Sequence, residues 1–475
     1  MTEDAFPPPA TPAVEGVVWG EMVEGPAHGK PGTGPSLRGP DRFPQALARW
    51  GFLFLVGGLA LSAVWLAVGV VEALQAENEW RLVSVRVTRV VAPAAAVLVF
   101  AAALAMRAHR GETRRLWHLS YAMAAIFVAG IATIWITLVR EPYRPDPKDV
   151  VILTPEQREA FLRSRLASGP GAAPAAVIPT GVFLRTTEFE RTENVRKSGY
   201  IWQKYADSLP GGLSREFVLP EAVETHVQEA YRRRVGDVET IGWYFEVETR
   251  EIFNYTHFPF DIKDPWVRIT PRDFDAGVLL VPDLESYAST DPRTLPGLER
   301  GFALPGWKVE QTFFSYKLRH YNTSFGVQAP IESDVPELYF TMAARRQFLS
   351  VFFLLVFPVL VMLVLIFMIV YNMPPRHLGG EGLYNIVRIC GTYLFILILN
   401  HVNLRTYVSG GIVYLEYFYV LLYAGVLWVL LNAGLYLKGL NPPGLCWREN
   451  LIARLVFLPL LSGIMMVVTV ATFGR

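Results

Sequence analysis

Long apolar runs alternate with one extended polar stretch, and that alternation divides the chain before any motif is considered. Near the N-terminus the runs cover about Trp50 to Leu74, Val90 to Met106 and Leu119 to Val139. Four more follow late in the chain, at about Phe348 to Tyr371, Tyr384 to Leu399, Ile412 to Leu437 and Ile452 to Thr472. Several exceed the roughly 18 residues that mark a membrane-spanning helix. The pattern therefore predicts three spans before a polar module and four after it. The expected division is a disordered tail at residues 1–47, a three-span module at 48–140, a β-sandwich outside the cytoplasm at 141–347 and a four-helix bundle at 348–475.

Within the polar module the period changes. Thr154-Pro155-Glu156-Gln157 combines a threonine cap, a proline at the first helical position and a reciprocating glutamine, which predicts a short helix to about Leu166. Ser168 to Pro179 reads as a Gly/Ala/Pro linker. Beyond it, runs rich in β-branched and aromatic residues predict strands at Val182 to Leu184, Tyr200 to Trp202, Trp243 to Val247, Trp266 to Ile269, Val278 to Val281, Trp307 to Phe314 and Leu338 to Met342. One interruption, Pro220 to Arg234, places Ala222, Val223, Val227, Ala230 and Tyr231 at a spacing that reads as helix.

Composition agrees with a membrane protein. Of the 475 residues 52% are hydrophobic, and the net charge is only +1. The mean hydropathy is +0.29. No overall field recruits nucleic acid, and the basic residues are not interleaved with stacking aromatics. The first forty-odd residues, from Pro7-Pro8-Pro9 to Gly39-Pro40, bury too little apolar surface to fold, and they lack a signal-peptide pattern. The basic cluster Arg107, Arg110, Arg114 and Arg115 belongs on the cytoplasmic side, although Arg81, Arg86 and Arg89 in the preceding loop run against that rule. With a cytoplasmic N-terminus, the polar module lies outside the cytoplasm of a plasma membrane. Cys390 and Cys446 both fall in or beside the C-terminal bundle, so no disulfide braces the polar module.

Ordered landmarks along the last two-thirds of the chain, from Trp202, Tyr205 and Asp207 through Phe258-Pro259-Phe260-Asp261, Trp307, Arg345-Arg346 and Pro358 to Asn403-Leu404-Arg405 with Tyr407, resemble those of the pentameric ligand-gated ion channels, the Cys-loop receptor superfamily, and in particular its prokaryotic members without the disulfide. Tyr205 and Asp207 after Trp202 resemble the aromatic-x-Asp that follows the second strand. Phe258-Pro259-Phe260-Asp261 resembles the signature loop, although Lys263 replaces its usual glutamine. Trp307 resembles the tryptophan before the ninth strand, Arg345-Arg346 the basic pair before the first pore-domain helix, and Pro358 that helix's internal proline. Asn403-Leu404-Arg405 with Tyr407 is similar to the loop between the second and third helices, without its proline and shortened.

The resemblance implies a homopentamer in membrane lipid, with a small-molecule or ionic ligand bound between subunits in an aromatic box. The candidates for that box are Trp202, Tyr205, Trp243, Tyr244, Tyr321 and Phe325, the last two on a flexible cap. It also gives Pro259, Asp261, Arg345, Arg346 and Arg405 a coupling role, Asp261 pairing with Arg346 or Arg405 to carry motion to the pore. The three N-terminal spans have no counterpart in the core family; they read as a modulatory or assembly module, or as an anchor without a role in gating.

Helical geometry supplies a separate argument for a pore. At 100° steps from Glu381, the residues Glu381, Asn385, Arg388, Thr392, Phe395, Leu399 and Asn403 share one helix face. Five copies around an axis make a polar vestibule closed by a hydrophobic constriction at Phe395 and Leu399. The resemblance implies an acidic ring at the cytoplasmic end of a cation pore and puts Glu381 there, whereas an axis-facing Arg388 favours anions. An uncompensated arginine ring is costly, and pairing of Arg388 with Glu381 or Glu416 leaves cations the expected ion. His257, His320, His377 and His401 are dispersed, so no metal or other cofactor is expected. No nucleotide loop, nucleophile elbow or triad points to an enzyme. The competing reading is a nonconducting receptor, or transport accessory protein, built on the same fold.

Overall fold

The computed structural model describes residues 45–475 apart from 76–78, 108–111, 168–175, 191, 274–276, 324–325, 327–332, 441–446 and 475. Three helices come first, α1 (Gln45–Gln75), α2 (Glu79–Ala105) and α3 (Thr113–Arg140). The expected tail lies outside the described residues up to residue 44, and residues 45–47 already belong to α1. The expected loop carrying Arg81, Arg86 and Arg89 is helical, because α2 starts eleven residues before the apolar run at Val90.

The polar module opens with β1 (Val150–Ile152) and α4 (Pro155–Ala167). The α4 cap forms as its residues predict: Gln157 N–H donates to Thr154 Oγ1 at 3.3 Å, while Leu153 N–H donates to Gln157 Oε1 at 2.8 Å. The strands that follow are β2 (Ala176–Phe189), β3 (Asn194–Ala206), β4 (Phe217–Val218), β5 (Ala222–Val235), β6 (Val238–Arg250), β7 (Ile262–Lys263), β8 (Trp266–Pro271), β9 (Val278–Pro282), β10 (Trp307–Tyr321) and β11 (Ser333–Arg346). Every run read as a strand lies in one of them.

Two readings of this module are corrected. Pro220 to Arg234 is not a helix but β5, an edge strand paired along its length with β6. Bulges at Ala222/Glu224 and Glu229/Tyr231 break its period of two and leave the apolar residues at helix-like intervals. The expected linker also ends early, since Ala176–Pro179 pairs in parallel with β9, and residues 168–175 lie outside the described residues.

One sheet runs β1-β10-β11-β8-β4 with β7 added against β11, and the other runs β5-β6-β3-β2-β9. Their facing sides share a core in which Val182, Ile201, Ile241 and Phe245 meet Val267, Ile269, Phe314 and Phe340. Strict alternation in β3 and β6 puts these apolar positions inward.

The chain then returns to helix in α5 (Phe348–Val351), a π-helical turn (Phe352–Val356), α6 (Phe357–Tyr371), α7 (Gly379–Arg405), α8 (Tyr414–Leu437) and α9 (Trp447–Phe473). Pro358 has no N–H to donate to the preceding turn, and the widened turn just before it absorbs that mismatch. Among the described residues six helical segments are long and apolar enough to cross a membrane: Phe52–Glu72, Thr113–Arg140, Phe348–Tyr371, Arg376–Arg405, Tyr414–Leu437 and Asn450–Phe473. This is the make-up of a multi-pass membrane protein. The expected second span coincides with Arg89–Ala105, a shorter apolar segment within the 27-residue α2 among the described residues.

Candidate functional site

The end of the sandwich and the ends of the helices share one apolar core, in which Val195, Phe253, Tyr255 and Phe258 are continuous with Leu355, Tyr414, Phe418 and Met465. At this junction Phe258-Pro259-Phe260-Asp261 forms a turn, with Phe258 N–H donating to Tyr255 O at 2.9 Å and Phe260 N–H to His257 O at 2.8 Å. Phe260 stacks on Phe348 at 4.9 Å between centroids and meets Phe473 edge-on at 5.7 Å. Pro259 is buried in the turn.

Asp261 and Arg346 meet as the charge pattern predicts. Arg346 Nε and Nη2 donate to the two carboxylate oxygens at 2.6 and 2.7 Å, a bidentate pair whose side chains are 9% and 2% exposed. The guanidinium also lies 4.2 Å from the Trp307 ring centroid and 4.8 Å from that of Phe258. Arg345 points elsewhere, with Nε donating to Glu310 Oε1 at 2.6 Å. Arg405 does not reach Asp261. It pairs with Glu416 at 2.5 Å, because the carboxylate of Glu416 faces the end of α7 and also takes Val413 N–H at 2.9 Å and His401 Nε2 at 3.1 Å.

Lys263 carries a feature that the sequence did not disclose. Its ammonium is enclosed by the rings of Phe189, Phe253, Tyr255 and Trp307, with centroids 4.3, 4.5, 5.0 and 5.4 Å away. Among the described residues it has no ion-pair partner within contact distance. Burial lowers its pKa to about 8, with Arg346 adding to the shift. A second buried charge pair sits deeper: Lys197 Nζ donates to Glu251 and, at 2.9 Å, to Thr249 Oγ1. Burial pushes the Lys197 pKa down and that of Glu251 up.

The connection from α7 to α8 touches the sandwich, since Ser409 Oγ donates to Glu193 Oε1 at 3.4 Å and Tyr414 N–H donates to Thr256 O at 2.9 Å. Asn403 therefore marks the sandwich end of α7 and Glu381 the far end. Along α7, Gly382, Ile386, Cys390, Leu397 and Leu404 are buried against the bundle. Glu381, Asn385, Arg388, Thr392, Phe395 and Leu399 are exposed, and Asn403 is half-buried. Phe395 is 62% and Leu399 54% exposed, so an apolar band lies bare between polar turns. The expected pairing of Arg388 with Glu416 does not occur, because Glu416 lies against His401 and Arg405 at the sandwich end of α7, about four helical turns from Arg388. Among the described residues neither Arg388 nor Glu381 has an ion-pair partner.

The five described candidates among the ligand aromatics do not come together within the chain. Tyr205 and Trp243 are core residues, 3% and 7% exposed. Trp202 lies flat over Gly181, where any Cβ would overlap its ring, and donates from Nε1 to Asp283 Oδ2 at 2.8 Å. Tyr244 meets Tyr200 at 5.6 Å. Tyr321 donates from its hydroxyl to Glu337 Oε1 at 2.6 Å and accepts from Arg268 at 2.7 Å, so this residue is tied to its sheet rather than held on a loose cap. Phe325 lies outside the described residues. A cleft of about 840 Å³ on the outer face of the β5–β6–β3–β2 sheet gathers Trp202 with Phe183, Tyr200, Tyr231 and Tyr287 instead. Alternation along β2 and β3 could have found Phe183 and Tyr200; Tyr231 was hidden by the helical reading of β5. Neither a family model nor a curated protein matches the sequence.

Proposed function

We propose that this chain is one subunit of a homopentameric ligand-gated ion channel, with the sandwich outside the cytoplasm, α7 lining the pore and cations as the permeant ion. The observation that carries this reading is the bare face of α7. Its opposite side is packed, yet two charged residues and an apolar band stand exposed, with nothing among the described residues to cover them. Charged side chains in a membrane span are expensive unless they face water or partners, and copies of the same face around an axis supply both. The junction supports the reading from the other side, because the buried Asp261–Arg346 pair fastens the Phe258–Asp261 turn to the end of β11, two residues before the first helix of the bundle. The cleft around Trp202 gives a ligand an aromatic surface suited to cationic groups.

Glu381 at the far mouth favours cations. Arg388 gives a specific reason for a second reading, an anion pore, since it is exposed and without an ion-pair partner among the described residues. Purified protein in planar bilayers separates these. A pentameric mass in mild detergent and single-channel currents in a KCl gradient are expected, with a reversal potential on the cation side that Glu381→Gln moves towards zero. A reversal potential on the anion side that Arg388→Gln abolishes selects the anion pore. A monomeric or dimeric mass, or no current under any pH or divalent condition, leaves the nonconducting receptor.

A further inference from the structure

The end of α3 reaches into the junction. Trp135 Nε1 donates to Tyr414 Oη at 2.9 Å, and that hydroxyl bonds Thr469 Oγ1 at 2.7 Å, so α3 is tied into the contact between α8 and α9. The Trp135 ring also lies 5.8 Å from Phe260 in the signature turn, 6.0 Å from Phe348 at the start of α5 and 6.4 Å from Phe418 of α8. Three separate pieces of the junction, the signature turn, α5 and α8, thus touch a single indole.

One turn further on, α3 ends, and its last carbonyls have no helical N–H to satisfy them. Arg345 supplies donors. Its Nη1 donates to Leu138 O at 3.3 Å and its Nη2 to Glu141 O, while Nε holds Glu310. A guanidinium at the negative end of a helix is stabilised by the peptide dipoles as well as by the hydrogen bonds. Beyond this cap the chain stays attached to the sandwich, with Tyr143 Oη donating to Asp264 Oδ2 at 3.3 Å and stacking near Phe313 at 6.2 Å. At its other end α3 is fastened to the bundle by Ser120 Oγ donating to Leu455 O at 2.6 Å and by Phe127 lying over Gly463.

Resting on the channel reading above, we propose that α3 is a regulatory strut: through Trp135 and Arg345 the three N-terminal helices set the resting equilibrium of the gate. The pair Arg345-Arg346 divides the work. Arg346 ties the signature turn to the end of β11, just before the bundle begins, and Arg345 ties the same strand to α3. A shift of α3 along its axis by one or two ångström breaks the Trp135 and Arg345 hydrogen bonds and moves Phe260 and Phe348 together, because packed rings rearrange in discrete steps. Trp135 and Arg345 are positioning residues in this scheme; neither touches the pore axis.

The test uses the full chain without added ligand. Resting open probability is measured in planar bilayers, in wild type and in a Leu399→Ser background, for Trp135→Phe, Trp135→Ala, Arg345→Gln and the control Ser120→Ala. Trp135→Ala and Arg345→Gln are expected to change resting open probability by about tenfold, with Trp135→Phe intermediate because the ring remains and only its donor is lost. Ser120→Ala is expected to lower thermal stability slightly and leave open probability unchanged. A merely structural role gives the same fall in stability for Trp135→Ala with no change in gating, and that result overturns the proposal. Hydrogen exchange of the amides at residues 256–262 is followed on the same proteins, where Trp135→Ala should accelerate exchange about tenfold. If wild type carries no current, the channel reading falls by itself, and unchanged exchange in Trp135→Ala and Arg345→Gln then overturns the strut as well.

Discussion

The charged residues of the sandwich and those of α7 are treated in opposite ways. In the sandwich and its membrane end, buried charges other than Lys263 find partners: Lys197 with Glu251, Arg268 with Glu337 at 2.6 Å, and Asp261 with Arg346. On α7, Glu381 and Arg388 stand exposed, and among the described residues no ion pair engages them. Burying an isolated charge costs far more than burying a paired one, so the sandwich closes its polar interior within one chain. The face of α7 is left for something beyond that chain. Ion pairs that satisfy each other hold a fold, whereas charges that remain open mark where a fold expects water, ions or other subunits.

The largest expected effect tests the closed side of this contrast. Lys197→Met strands the Glu251 carboxylate among Thr249 and the strand backbone, and is expected to cost about 3–5 kcal/mol in denaturant unfolding. The double replacement Lys197→Met with Glu251→Leu should recover most of that loss. A double variant as unstable as the single would show that the pair matters for more than mutual neutralisation.

Asp261→Asn comes next, at about 2–3 kcal/mol, since an amide keeps the shape but surrenders one charge-assisted bond and leaves Arg346 half paired. Here stability and function should part: assembly persists while activation weakens. Normal activation by both Asp261→Asn and Arg346→Ala, at normal expression, would remove the coupling role.

Lys263 sharpens the comparison, being buried without an ion-pair partner among the described residues. Its pKa in the folded protein is about 8, against 10.5 for a free lysine. Between those values the unfolded chain holds more protons than the folded one, so stability rises with pH across the window. The gain from pH 7 to pH 10 is expected to be roughly 1–3 kcal/mol relative to Lys263→Met, which has no proton to lose. Equal pH slopes for the two proteins would show that the four rings hold the ammonium at no cost.

Smallest in stability are the changes on α7, where Glu381→Gln, Arg388→Gln and Leu399→Ser should each alter unfolding by less than about 0.5 kcal/mol in the isolated subunit. In the proposed channel their effects belong to conduction. Leu399→Ser should wet the apolar band and raise resting open probability, because a closed state maintained by drying fails once a hydroxyl enters it. A Leu399→Ser protein that rests as closed as wild type would move the constriction away from this residue.

Much of this was legible in the sequence, for identifiable reasons. Span positions, the α4 cap and the strands of the sandwich follow from local periodicity and short-range side-chain chemistry, which the chain carries wherever it folds. The exposed stripe on α7 follows from the same helical arithmetic. The Asp261–Arg346 pair could be anticipated because opposite charges flank one junction. Local pattern failed at β5, where two bulges and an exposed edge imitate a helix, and at α2, whose helical start is polar.

What only the tertiary structure decided are the choices among partners distant in sequence. Glu416 takes Arg405 and His401 rather than Arg388, Lys263 enters four rings drawn from separate segments, and Trp135 reaches Tyr414 across 279 residues. A sequence fixes which groups need partners, since charge, polarity and ring area belong to each residue. Which partner each one gets depends on packing, because desolvation and contact distance are set only when remote segments exclude water together.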